Sequence, residues 1–122
     1  MENDVFCQIV KAEIPAYKVW EDENFLAFLD VNPKSPGHTL VIPKQHHRWV
    51  WEVSNFGEYF EKVKIVEKKL EKALSPEFVE MRVFGMDVPH AHVQLIPYYK
   101  EGQEVSFESL AEIAEKIRIS AE

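Results

Sequence analysis

The chain has 122 residues, 46% of them apolar, and a net charge of −7. That length and apolar content suit a single domain spanning residues 1–122 with a true core, and exclude a disordered chain. The acidic balance argues against nucleic acid as a partner, since phosphate contacts need clustered Lys and Arg, although one local patch can still bind a small anion.

The opening residues, MENDVFCQIV, have neither a basic start nor a long apolar run. No signal peptide and no membrane span are expected. Cys7 is the single cysteine, so no intrachain disulfide forms, and a reducing cytoplasm is the expected setting. In DVFCQIVKAEIP, Val5, Phe6, Ile9 and Val10 share one helical face, and Pro15 ends the helix. YKVWED and FLAFLD read as strands around the turn-like EDEN. DVNPKSPG is a loop, and HTLVIP is a short strand. EVSNFGEYFEKVKIVEKKLEKALSP is the long helix. Its residues Phe56, Tyr59, Phe60, Val63, Val66, Leu70 and Leu74 keep helical spacing, Asn55 and Glu58 can form a capping box, and Pro76 marks the end. FVEMRVFG and HAHVQLIPYY are strands, and SFESLAEIAEKIRISAE is a closing helix with Leu110, Ala114 and Ile117 on one side. The order is helix, three strands, helix, two strands, helix. It predicts an α+β domain: a mostly antiparallel five-stranded sheet with the long helix packed on one face and a C-terminal helix.

VPHAHVQLIP carries chemistry. Strand residues two apart point the same way. His90, His92 and Gln94 therefore share a face, and Ala91, Val93 and Leu95 face the core. Three readings compete. The face is simply half-exposed and polar. Alternatively, His-x-His supplies two ligands to a metal, with His38, His46, His47 or Asp87 completing the set. Or one imidazole is a nucleophile at phosphorus, with its second nitrogen held by an acceptor and its neighbours holding phosphate oxygens. Lys44, His46 and Arg48 can provide local positive potential. Trp49 and Trp51 suit packing, and Cys7 suits a buried filler.

FLAFLDVNPKSPGHTLVIPKQH followed by HAHVQLIP resembles the histidine triad (HIT) superfamily, from Val5 to Pro97. Its members are nucleotide hydrolases and nucleotidyl transferases with the pattern His-x-His-x-His. The resemblance implies that His92 attacks phosphorus and forms a nucleotidyl-histidine. His90 supports it through its backbone carbonyl, Gln94 contacts phosphate oxygens from the third position, and His38 lies near the phosphate. It also implies that Asp30 holds the ribose hydroxyls and that Phe6, Ile9, Phe28 and Val31 wall the base. Asp30 is equally a good turn residue, and the apolar four are equally good core. The implied substrate is a small purine nucleotide conjugate, a phosphoramidate or a dinucleoside polyphosphate. No metal ligands and no cofactor are implied, with Mg²⁺ accompanying a polyphosphate substrate, and the assembly implied is a homodimer.

Two departures stand out. Gln94 replaces the usual third histidine, as in galactose-1-phosphate uridylyltransferase and the diadenosine tetraphosphate phosphorylases, which pass the nucleotide to a phosphate. Nucleotidyl transfer to phosphate is therefore an alternative, as is a nucleotide-binding regulatory module with little turnover. FGMDVPH replaces a longer Asn- and Gly-containing loop, and backbone amides from Gly85 to Val88 are the candidate replacement donors.

Overall fold

The computed structural model describes residues 3–103 and 109–120. Five strands form one antiparallel sheet: β1 (Lys18–Glu21), β2 (Phe25–Leu29), β3 (Thr39–Pro43), β4 (Phe78–Arg82) and β5 (Val93–Tyr98). Their spatial order is β1-β2-β3-β5-β4, so β5 inserts between β3 and β4. The helices are α1 (Val5–Val10), α2 (Phe56–Leu74) and α3 (Leu110–Ile119), with a 3₁₀ turn at Val50–Glu52. The α+β architecture agrees with the sequence expectation.

Alternation along the strands sorts the core into two layers. Phe25, Ala27 and Leu29 of β2, Val41 of β3, and Val93 and Leu95 of β5 pack against Tyr59, Val63, Val66 and Leu70 of α2 and Ile113 and Ile117 of α3. Leu26, Phe28, Leu40 and Ile42 point the other way and meet Phe6 and Ile9 of α1. So α2 and α3 cover one face, and the short α1 covers part of the opposite one. Buried Lys69 of α2 donates to the carbonyls of Arg118 and Ser120, at 3.3 and 2.7 Å. That pairing supplies acceptors at the end of α3 with a cationic partner.

The elements start and stop for local reasons. Asp4 caps α1 by accepting from the Cys7 N–H at 2.9 Å. The helix ends at Val10, before Pro15, because Ala12 adopts a left-handed φ of 61° and Glu13 N–H returns to the Gln8 carbonyl at 2.8 Å. This Schellman-type closure satisfies the last carbonyls without proline. The long helix begins with its apolar pattern at Phe56, inside the expected span of residues 52–76. Asn55 occupies the cap position, but its side chain donates to Glu58 Oε1 at 2.9 Å instead of accepting a backbone N–H, so the expected capping box does not form. At the far end Ser75, with φ 52°, precedes Pro76. The closing helix begins at Leu110 with Ser109 as its cap, and residues 106–108 of its expected span lie outside the described residues.

Candidate active site

Strand β5 begins at Val93, so His90 and His92 lie just before the ladder and not within it. The ladder between β3 and β5 runs only from Thr39↔Leu95 to Val41↔Val93. Beyond it, the Ala91 N–H turns to the His47 carbonyl at 2.6 Å, and His90 Nε2 reaches the Pro43 carbonyl at 2.9 Å. The alternation nevertheless holds. Ala91 and Val93 are in the α2 layer, while His90, His92 and Gln94 are buried on the α1 side.

The ring of His92 is tightly specified. Its Nδ1 lies 2.8 Å from the His90 carbonyl oxygen. A carbonyl can only accept, so Nδ1 carries hydrogen, and Nε2 is the nitrogen left to face outward from it. Nε2 lies 3.0 Å from Asp87 Oδ1. The ring edge packs on Phe6, with centroids 5.2 Å apart and planes at 81°, and Phe6 in turn packs edge-on to Phe28 at 5.5 Å.

His38 and Gln94 form a second fixed pair. The Lys34 N–H donates to His38 Nδ1 at 3.1 Å, so Nε2 carries the hydrogen. Nε2–H donates to Gln94 Oε1 at 3.0 Å and lies 3.7 Å from Asp30 Oδ2. That assigns the amide: the oxygen of Gln94 faces His38, and its NH₂ group faces away as a donor. Burial pushes the His38 imidazole below its ordinary value, against the opposing pull of Gln94 and Asp30, so the ring is neutral at pH 7.

Beside these rings lies a cleft of about 280 Å³ lined by Phe6, Ile9, Phe28, Asp30, Val31 and Asp87, among others. The structure thus gathers the five residues expected to bind nucleotide on one cleft. Asp30 also fills the turn role, since its Oδ1 accepts the Asn32 N–H at 2.8 Å. The expected positive patch does not assemble. Lys44 pairs with Glu21 at 2.7 Å and His46 with Asp4 at 2.9 Å. Arg48 donates to the Gly85 carbonyl at 2.8 Å and stacks 3.7 Å over the Trp49 ring. Of the expected replacement donors, the Val88 N–H is taken by Asp87 Oδ1 at 3.1 Å.

The HIT domain family model matches residues 11–101. The chain belongs to the HIT family. An adenosine 5′-monophosphoramidase of Schizosaccharomyces pombe is 40% identical over 98 residues, covering 76% of this chain and 72% of that protein. Among solved structures, a Hit-like protein of Bartonella henselae superposes with a TM-score of 0.84 at 33% identity, covering 95% of both chains. A zinc-bound histidine triad family protein of Mycobacterium smegmatis gives 0.75 at 30% identity, covering 93% of this chain and 89% of that one.

Within this HIT fold, a second cluster escaped sequence reasoning. Ligand atoms of Asp4, Cys7, His46 and His90 all lie within 4.8 Å of one another. Cys7 Sγ is 3.4 Å from Nδ1 of both His46 and His90, and His90 Nδ1 is 3.3 Å from Asp4 Oδ1. Burial pushes the Cys7 thiol up, reinforced by the Asp4 carboxylate. Burial acts against the Asp4 carboxylate as well, but the Cys7 N–H and the neighbouring His90 and His46 outweigh it and hold Asp4 below its ordinary value. Of the metal candidates read from sequence, only His46 joins a triad histidine in this cluster. Asp87 instead meets His92, and His38 meets Gln94. The one sequence signal was the Asp4-x-x-Cys7 spacing at a helix start, too common to single out.

Proposed function

We propose that this chain is a nucleotide-processing enzyme in which Nε2 of His92 attacks the α-phosphorus of a nucleoside monophosphate conjugate, a phosphoramidate or a dinucleoside polyphosphate. The observation that carries the reading is the buried His92 ring, with Nδ1–H committed to the His90 carbonyl and Nε2 directed to a residue of the cleft wall. An imidazole held this way is a competent nucleophile near neutral pH. The NH₂ group of Gln94 donates to phosphate oxygens, His38 keeps that amide oriented, Asp30 accepts from the ribose hydroxyls, and Phe6, Ile9, Phe28 and Val31 wall the base. The fission-yeast relative, named an adenosine 5′-monophosphoramidase, supports this substrate class. Water then clears the nucleotidyl-histidine. No metal takes part in the attack, and Mg²⁺ accompanies only a polyphosphate substrate.

Incubation with adenosine and guanosine phosphoramidates, dinucleoside polyphosphates and nucleotide sugars, each with and without phosphate, tests the reading. Free nucleoside monophosphate is the expected product. Phosphate-captured nucleotide would establish transfer instead, and binding without turnover of any conjugate would establish a regulatory module.

The Asp4, Cys7, His46 and His90 cluster fits a metal. Two imidazoles, a thiol and a carboxylate at this spacing suit tetrahedral zinc, and the Mycobacterium smegmatis neighbour is zinc-bound. A zinc ion there would supply structural cross-linking of α1 to the segment before β5, steadying the His90 carbonyl that orients His92. A homodimer is also proposed. β4 is a sheet edge, and its exposed Phe78 and Met81 offer apolar surface to a second copy. Light scattering at the mass of two chains is the expected result. Among the described residues no helix is long and apolar enough to cross a membrane; the cytoplasmic setting is proposed from the single cysteine of the chain.

A further inference from the structure

We infer that Asp87 is a catalytic residue: its carboxyl hands a proton to the leaving group and then takes one from the attacking water, the work that Gln94 is unable to do. The inference rests on the proposed attack by His92. Asp87 Oδ1 lies 3.0 Å from the nitrogen that would form the bond to phosphorus, and Asp87 lines the cleft in which a substrate would sit. Glutamine in the third position holds an oxygen but does not exchange protons near neutral pH. The site would otherwise lack a proton carrier next to the reacting atoms, because His38 is committed on both nitrogens to Lys34 and Gln94.

The segment bearing Asp87 is held from both sides. Arg48 grips the Gly85 carbonyl, and the His90 N–H bonds the Val88 carbonyl at 2.8 Å. Gly85 has a left-handed φ of 79°, and a Cβ there would come 2.9 Å from the Trp49 ring. Between these anchors the Asp87 side chain is 55% exposed. An exposed ion pair adds little stability, so packing does not explain this placement. Exposure does leave the carboxyl free to swing from Nε2 towards a leaving group once phosphorus takes its place.

The proton count closes over a full cycle. In the resting site one proton lies between Nε2 and Oδ1 and passes to Asp87 as the substrate displaces the carboxyl. The Nε2 lone pair forms the N–P bond, the bond from phosphorus to the leaving nitrogen breaks, and Asp87 protonates that nitrogen, which departs as a neutral amine. The nucleotidyl-His92 ring keeps its Nδ1–H on the His90 carbonyl and is cationic, balancing the Asp87 carboxylate. Water then attacks phosphorus, Asp87 takes its proton, the N–P bond breaks, and His92 and Asp87 return to the starting state.

The test compares wild type, Asp87→Asn and Asp87→Ala on a graded series of AMP conjugates: an aliphatic amine, an aromatic amine and a p-nitrophenyl ester. General acid catalysis is worth roughly 10²–10⁴-fold. Both variants should therefore lose at least about a hundredfold more kcat/KM, which covers the steps up to leaving-group departure and not the shared hydrolysis, on the aliphatic amine, which must be protonated to leave, than on the nitrophenolate, which need not be. Equal loss on every conjugate, or no loss, overturns the assignment of Asp87 and leaves the nucleophile in place. Wild type that turns over no member of the series overturns both this inference and the enzymatic reading beneath it.

Discussion

The two faces of the sheet are built by different rules. The α2/α3 face is mostly apolar; Tyr59 donates its hydroxyl to the Val41 carbonyl at 2.6 Å, and buried Lys69 sends its ammonium to the carbonyls at the end of α3. The α1 face buries His38, His90, His92 and Gln94 around a smaller apolar cluster of Phe6, Ile9, Leu26, Phe28, Leu40 and Ile42. No buried side-chain polar atom among the described residues lacks a partner. One face therefore stabilises by area removed from water, and the other spends its burial on holding rings in fixed tautomers. Each buried hydrogen bond contributes little net, but a missing partner is costly, so the second face tolerates fewer changes.

Mutations on either side should separate these rules. The largest effect belongs to His92→Ala, which should lower kcat on an AMP phosphoramidate by on the order of 10³-fold or more while nucleotide still binds by calorimetry. Activity within a few fold of wild type would move the nucleophile elsewhere. On the opposite face, Leu70→Ala empties a fully buried site and should cost about 2–5 kcal/mol in urea unfolding, with kcat of the folded protein unchanged. A matching fall in kcat would show that the two faces are coupled.

Asp30→Ala should weaken ribonucleotide binding by roughly ten- to a hundredfold, the worth of a charged hydrogen bond. Deoxynucleotide affinity should not change. If the variant still prefers the ribose form, Asp30 serves only the turn that ends at Asn32. The smallest effect is on pH. His38 is held neutral by burial, against Asp30 on the raising side and with Lys34 and Arg82 on the lowering side. Its folded value is below the unfolded reference of about 6.5, so the unfolded chain binds more protons in between. Stability from this group is full above pH ~6.5 and is lost as pH falls towards the depressed folded value. Urea midpoints should decline over that window, and His38→Gln should flatten part of the decline. An unchanged slope would assign it to other groups.

Much of the site was legible because strand alternation is a local property. His90, His92 and Gln94 stay buried on one side even though the ladder starts only at Val93, with Ala91 and Val93 on the other. Asp30, Phe6, Ile9, Phe28 and Val31 line one cleft. The positive patch was not legible in the same way. Lys44, His46 and Arg48 are close in sequence, but each is neutralised or occupied by a group from another segment: Glu21, Asp4 and the Gly85 carbonyl. Charge at a site depends on partners, and partners are distant in the chain.

The sequence by itself determined the α+β order of elements, the apolar stripe of α2 and the split of residues 90–95 into a core side and a histidine side. All of these follow from periods of two and 3.6 residues, which need no knowledge of neighbours. Only the tertiary structure decided which ring nitrogen of His92 is held by the His90 carbonyl, which way the Gln94 amide points, and that Asp4 and Cys7 converge on His46 and His90. It also decided that Asp87 meets Nε2 of His92 and lies outside the Asp4, Cys7, His46 and His90 cluster. Tautomers and amide orientation are set by the donor or acceptor at the other end of each hydrogen bond. Pro43, Lys34 and Asp4 provide several of those ends, and they reach the rings only when β3, the 30–37 loop and α1 close over the same face.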